Sequence, residues 1–340
     1  MAMRAVRYLG PGRPFEMQSV EVPKPGPGQV LLRIAACGMC HTELHFRDGL
    51  LNLGKSGFTM GHEIAGTVEA LGPDTTGITV GERVLVYYYE GCGRCEYCRS
   101  GDEHLCPACV GQPGFTTDGG YAEMMVVRAR NCVPVPAHVS LAEIAPMGCA
   151  GTTAVHAGKM AEIAPGDWVV VHGAGGVGLA LAQYAKVAGG RVIAIGLGAE
   201  RLALAASLGA EHVIDAAVEK DVAARVIDLT GGGADVVFEL VGIAATMKAS
   251  VAMLRRRGRY VLIGYSADRL DVHPVEILVR EIKVLGSVGS TLQDAYDIVD
   301  LVARGAVKSV IDRSLPLDRY EEGLAALEAG ATLGRIVLQP

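Results

Sequence analysis

The sequence predicts an α/β protein in two parts, an irregular β-rich region followed by a doubly wound parallel sheet. Three observations carry that expectation. Short β-branched runs cut by Gly and Pro fill the chain up to about Ala150, strand-like runs alternate with helix-length amphipathic segments after Gly151, and a glycine-rich turn, Gly173 to Gly178, stands near the start of the second pattern. At 340 residues the chain exceeds one ordinary core and fits two domains of common size.

In the first part the expected strands are Val30 to Ala35, Ile64 to Ala70, Arg83 to Tyr88 and Met124 to Val127, with turns at Pro23 to Gly28 and Gly72 to Asp74. In the second they are Trp168 to His172, Arg191 to Ile195, His212 to Ile214, Asp235 to Glu239, Arg259 to Ile263 and Lys283 to Val288. Helical patterns lie between them at Gly176 to Ala188, Glu200 to Leu208, Ala223 to Leu229 and Thr246 to Arg256. Six strands with intervening helices is the inventory of a dinucleotide fold. From about Ser290 the chain returns to mixed helix and strand.

Composition narrows the function classes. Charged residues at 20% and hydrophobic ones at 50% mark a compact globular chain, and a net charge of -6 argues against nucleic acid as a partner. The longest basic cluster is only Arg255-Arg256-Arg257. No apolar block resembles a signal peptide or a membrane span, so the expected location is the cytoplasm and the expected partner a small molecule rather than a membrane. There the redox poise disfavours disulfides, which makes metal binding the better use for closely spaced thiols among the nine cysteines. Cys37, Cys109 and Cys132 fit no ligand spacing and are expected to act as small buried hydrophobes.

Three constellations carry chemistry. Cys92-x-x-Cys95-x-x-Cys98, followed after seven residues by Cys106, can close a tetrahedral thiolate shell around Zn²⁺, which leaves no open position and marks a structural site; an iron-sulfur cluster or a redox thiol pair are the alternatives. Gly173-Ala174-Gly175-Gly176-Val177-Gly178, between a strand and a helix, is placed to cradle a pyrophosphate. The acidic residue that often closes the next strand is missing: Gly196 holds its place and Arg201 is the nearest cation, so NAD(H) and NADP(H) both remain open. The third constellation is Cys40-His41-Thr42-Glu43-Leu44-His45, with Gly61-His62-Glu63 and Cys149 as candidate partners whose separations permit convergence without demonstrating it.

Together with Asp118-Gly119-Gly120-Tyr121-Ala122-Glu123, these motifs resemble, over essentially the whole chain, the zinc-containing alcohol dehydrogenases of the medium-chain dehydrogenase/reductase family. The resemblance implies a GroES-like β-barrel catalytic domain over 1–150 and 287–340 and a Rossmann domain over 151–286. It implies Cys40, His62 and Cys149 as ligands of a catalytic zinc, with Glu63 as a neighbouring carboxylate able to enter the shell and Glu43, where the family more often has Asp, bracing a ligand. A second zinc would lie in the cysteine lobe. Thr42 would take the substrate proton and His45 pass it outward; His41 would lie near the cofactor phosphates and Arg335 would reach the pyrophosphate. Gly173, Gly175, Gly176, Val177, Gly178, Gly196, Arg201 and Val241 complete the expected cofactor-binding residues. The implied activity is reversible hydride transfer between an alcohol and NAD(P)⁺ in a homotetramer or dimer. The alternatives are reduction of an activated C=C bond and a nucleotide-binding protein whose catalysis has lapsed. Phe46, Leu50, Leu51, Phe58 and Tyr87-Tyr88-Tyr89 are candidate walls of an apolar substrate pocket.

Overall fold

The computed structural model describes residues 1–340. Two compact units emerge, one made of Met1–Thr152, Ser290–Gly305 and Ser309–Pro340, the other of Thr153–Gly289 with Ala306–Lys308. The strands of the first part are β1 (Ala2–Tyr8), β2 (Glu16–Glu21), β3 (Gln29–Met39), β4 (Phe58–Thr59), β5 (Glu63–Leu71), β6 (Arg83–Val86), β7 (Met124–Arg128) and β8 (Cys132–Pro134). The second unit contributes β9 (Trp168–His172), β10 (Arg191–Gly196), β11 (His212–Asp215), β12 (Ala234–Glu239), β13 (Leu254–Leu262) and β14 (Lys283–Gly286). The chain closes with β15 (Ile311–Pro316) and β16 (Arg335–Gln339) in the first unit.

In the first unit β3 is the organising strand. It pairs antiparallel with β5, with β7 along its first half and with β16 along its last residues, so both of its edges are satisfied and nearly all of its side chains are buried. The register sets Gly38 opposite Glu63 and Met39 opposite Ile336, which brings the first residues of β5 and β16 beside the end of β3. A separate three-stranded sheet, ordered β2-β1-β4, packs its apolar face into the same core. Tyr8 sits there between Phe46 and Phe58, each ring centroid 5.3 Å from its own. Burying each such ring stabilises the unit by roughly 1.5–3 kcal/mol.

In the second unit six parallel strands run β11-β10-β9-β12-β13-β14. The chain order reverses between β9 and β12, the switch point of a doubly wound sheet. Val169, Val170 and Val171 of β9 are wholly buried, as a strand covered on both faces requires. At the end of β9 the chain turns directly into the helix Gly176–Val187, and a Cβ on Gly178 would stand 1.9 Å from the Gly173 carbonyl oxygen. Only glycine permits that close approach.

One expected element differs. The helix predicted over Thr246 to Arg256 stops at Ala252, and β13 begins at Leu254. Arg255 bonds to Asp235 and Arg256 donates to the Val279 carbonyl, while Arg257 takes a φ of 61°. These anchors stretch the arginine run along the sheet, where a register shift between Ala234 and Val236 accommodates it. No helix of the protein is long and apolar enough to cross a membrane.

Candidate metal centres

The cysteine lobe is assembled within 15 residues, Cys92 to Cys106, around the short helix Glu96–Ser100. Cys95 caps that helix with its sulfur, accepting from the Cys98 N–H at 3.4 Å, and Cys106 accepts from the Cys92 N–H at 3.3 Å. Four thiolates held at about 2.3 Å from one ion at tetrahedral angles stand about 3.8 Å apart. Cys92 and Cys98 lie 3.9 Å apart and Cys95 and Cys106 3.8 Å apart, so the lobe fits Zn²⁺ without rearrangement. Backbone N–H groups of Arg94 and Cys95 lower the Cys92 pKa to about 6, favouring the thiolate, whereas burial pushes the Cys98 thiol up to about 12. Beside the lobe, Glu103 is buried against Arg130.

The second centre is built from distant chain. Cys40 follows the end of β3, His62 precedes β5, Glu63 opens β5, and Cys149 follows a short 3-10 turn, Ala145–Gly148, packed against β5. One ligand atom from each of the four lies within 4.8 Å of the others. Gly38 makes the room: a Cβ there would stand 2.0 Å from Glu63 Oε2. His62 is 1% exposed, and neither of its ring nitrogens has a hydrogen bond of ordinary geometry. Its Nδ1 approaches Glu43 Oε1 at 3.3 Å, an ion-pair distance without good alignment. That contact turns Nε2 toward the thiols, an orphaned buried donor set that a Zn²⁺ would satisfy. Glu43 also accepts from the Cys40 N–H at 2.7 Å, so one carboxylate braces two members of the cluster.

Electrostatics tie the cluster together. Hydrogen bonding from Cys149 holds the Cys40 pKa well below its usual value, and the same contact with burial drives Cys149 well above. Desolvation opposes protonation of His62, yet Cys40 and Glu43 overcome it and raise its pKa to about 10. Burial raises Glu63 to about 8 against the pull of Arg335. Arg335, 7% exposed at the start of β16, holds Nη2 3.1 Å from Glu63 Oε1, but neither that nitrogen nor Nε has an aligned hydrogen-bond partner. Thr42 Oγ1 lies 3.4 Å from Cys40 Sγ, and His45 is half-buried with its ring 5.1 Å from that of the exposed His41. Burial lowers the His45 pKa, favouring its neutral form.

Of the candidate pocket walls, Phe46, Phe58 and Tyr87 are core side chains, and Leu50 is exposed. Sequence reasoning missed Phe115, whose ring lies 4.7 Å from His62 and stacks on Tyr88 at 5.4 Å; Tyr88 itself meets His62 edge-on at 5.3 Å. No local pattern announces that box. Cys109, expected to be buried, is exposed, with its thiol donating to the Gly111 and Glu90 carbonyls. Contrary to the expectation that it fits no ligand spacing, it stands at Cys-x-x-Cys spacing from Cys106. In the second unit Gly173 and Gly175 form the turn after β9, and Gly176, Val177 and Gly178 open the helix Gly176–Val187; Gly196 closes β10, and Arg201 lies on the next helix, Ala199–Ser207. A Cβ on Gly196 would stand 2.9 Å from that of Ala174 in the glycine turn.

Known proteins show the same organisation. A family model described as an alcohol dehydrogenase GroES-like domain matches residues 26–137, and one described as a zinc-binding dehydrogenase matches residues 176–304. An alcohol dehydrogenase of Geobacillus stearothermophilus is 36% identical over 96% of both chains. The chain belongs to the zinc-containing alcohol dehydrogenases of the medium-chain dehydrogenase/reductase family. Another member of that family, an NAD-dependent alcohol dehydrogenase of Sulfurisphaera tokodaii, is 34% identical over 99% of this chain and 100% of its own. The cobalt- and zinc-bound thermostable alcohol dehydrogenase of Pyrobaculum aerophilum superposes with a TM-score of 0.91 at 31% identity, over the whole of both chains.

Proposed function

We propose that the protein is a zinc-dependent alcohol dehydrogenase, catalysing reversible hydride transfer between a primary or secondary alcohol and NAD(P)⁺ to give an aldehyde or ketone. The convergence of Cys40, His62 and Cys149 in one buried cluster, braced by Glu43, is the observation that carries this reading. Bound Zn²⁺ supplies Lewis-acid polarisation of the substrate oxygen, and a bound nicotinamide supplies the two-electron acceptor. Cys40, Cys149 and His62 would hold the ion, two thiolates and a neutral imidazole offsetting its charge. Glu43 stands 3.3 Å from His62 Nδ1, where it favours presentation of Nε2 to the ion, and it orients the Cys40 backbone. Thr42 Oγ1 would take the alcohol proton as its own hydroxyl proton leaves, and His45, on the next turn of the same short helix, would accept the released proton and pass it to solvent.

Glu63 sits within reach of the ligand atoms and would be a further donor to the ion, while Arg335 balances its charge. Arg335 Nε, buried without an aligned hydrogen-bond partner, suits a pyrophosphate oxygen, and His41 faces solvent as a second candidate for the cofactor phosphates. The glycine turn with Val177 would receive the pyrophosphate. Gly196 presents no carboxylate to the adenosine ribose, so NAD(H) and NADP(H) are both admissible; the NAD-dependent relatives favour the former. Residues 1–150 and 287–340 are then the catalytic domain with its architectural zinc at Cys92, Cys95, Cys98 and Cys106, and 151–286 the cofactor domain. Val284 on the edge strand β14, with exposed Leu278 and Val279 shortly before it in the chain, supports a homo-oligomer, dimer or tetramer; the cytoplasm is the location that the sequence suggests.

Zinc-loaded protein assayed by nicotinamide absorbance against a panel of alcohols and carbonyls, with each dinucleotide, is expected to turn over at least one alcohol and its carbonyl. Reduction of the C=C bond of an enal with its carbonyl untouched, or no turnover across the panel at two zincs per chain, would overturn the reading.

A further inference from the structure

We infer that Glu239 is a positioning residue for the dinucleotide: its buried carboxylate shapes the turn after β12 against the glycine turn after β9, without touching the cofactor itself. The inference rests on the functional reading above.

Glu239 ends β12 and is wholly buried. Oε1 accepts from the Val241 N–H and the Gly242 N–H, each at 3.0 Å, and from the Thr246 hydroxyl at 2.8 Å; Oε2 accepts from the Gly242 N–H at 3.0 Å. A buried carboxylate served by neutral donors is costly to keep, because several kcal/mol of hydration must be replaced. An apolar residue would fill the space more cheaply but could not fold the chain back on itself. The carboxylate draws two successive N–H groups and the first turn of the helix Ala244–Ala252 toward one point, which sets the curvature of residues 240–246.

The turn so formed is wedged between two others. Leu240 donates its N–H to the His172 carbonyl at the end of β9, while Ile263 and Gly264, just past β13, donate to the Glu239 carbonyl. On one side a Cβ placed on Gly173 would meet Leu240 Cβ at 3.1 Å and Val241 Cγ2 at 3.2 Å. On the other, a Cβ placed on Gly264 would stand 2.4 Å from the Leu240 carbonyl carbon. Ser266 Oγ donates to the Gly242 carbonyl at 2.7 Å, and Asp268 accepts from the Ala244 N–H that opens the helix. Three turns are thus in backbone-to-backbone contact at the carboxyl ends of β9, β12 and β13, where the strand order reverses and a dinucleotide is received. Val241, 39% exposed, is held against Gly173 by this packing, so its place at the crevice is decided by Glu239.

Glu239→Gln tests the assignment while nearly preserving shape. The amide nitrogen, whichever oxygen it replaces, is a donor facing the Gly242 N–H, which bonds to both carboxylate oxygens. Thr246→Val, which deletes one donor only, is the milder companion. Both are made in the zinc-loaded full chain, and NADH and NADPH are titrated against the emission of Trp168, the single tryptophan. Glu239→Gln is expected to raise the dinucleotide Kd and KM at least about tenfold, as the loss of one buried charged hydrogen bond implies, while kcat at saturating cofactor falls far less. Thr246→Val is expected to shift Kd in the same direction by roughly threefold. A Kd within twofold of the parent in Glu239→Gln, or a loss confined to kcat, would overturn the inference. Should Glu239→Gln fail to fold, an unchanged Kd in Thr246→Val overturns it equally. A parent that binds neither dinucleotide defeats the functional reading and this inference together, whereas a binding parent with unaffected variants defeats this inference alone.

Discussion

The two thiol clusters of the first unit are built by opposite strategies. The lobe draws all four sulfurs from residues 92–106, partly open to solvent, and shapes itself by local N–H to sulfur bonds. The buried centre draws Cys40, His62 and Cys149 from three separate stretches and surrounds them with two carboxylates and a guanidinium. Four thiolates on Zn²⁺ carry a net charge of -2, which suits architecture; two thiolates and an imidazole leave the ion neutral and able to stabilise a developing anion. The difference teaches that ligand count alone does not separate structure from chemistry. Burial and the bracing residues do.

Substitution at the buried centre tests this contrast most severely. Cys40→Ser or His62→Ala is expected to lower kcat/KM on the order of 10³-fold or more, since Lewis-acid stabilisation is worth several kcal/mol at about 1.4 kcal/mol per tenfold. Dinucleotide binding, read separately, should be largely retained; full turnover at full zinc occupancy would erase the distinction between the clusters.

The lobe should fail differently. Cys95→Ser is expected to remove one zinc per chain and lower the melting temperature by at least about 5 °C, because a structural metal contributes folding energy. Metal analysis and calorimetry read both effects, and an unchanged melting temperature would deny the lobe its architectural part.

The brace comes next in size. Glu43→Gln is expected to weaken zinc affinity or activity at the buried centre by roughly 10–100-fold while the lobe keeps its zinc, a split that chelator titration resolves. Equal loss at both sites would show that Glu43 supports the unit as a whole. The smallest effect belongs to His45→Ala, expected to slow turnover by about tenfold, below the 10²–10⁴-fold of an obligatory acid or base because water can replace a terminal carrier. An unchanged rate and pH profile would remove His45 from the relay.

Much of the fold was legible in the chain. The β9 run Trp168–His172 has the expected bounds, since an unbroken β-branched run before a glycine turn has few other uses. The lobe was legible for the same local reason, its four thiols all falling within residues 92–106. The end of the helix after β12 was not, because the three arginines are held by partners 20 or more residues away. Nor was the box of Tyr88 and Phe115 on His62, which has no sequence period at all.

By itself, then, the sequence determined what short-range physics governs: alternation, glycine turns and thiols close enough to share an ion. Tertiary structure alone decided that Gly38 stands opposite Glu63, that Arg335 opens a strand beside Met39, and that Glu239 folds one turn against another. The first two depend on strand register and the third on which neighbouring turns β9 and β13 bring against residues 240–242, and both are set by the packing of whole sheets rather than within any one segment.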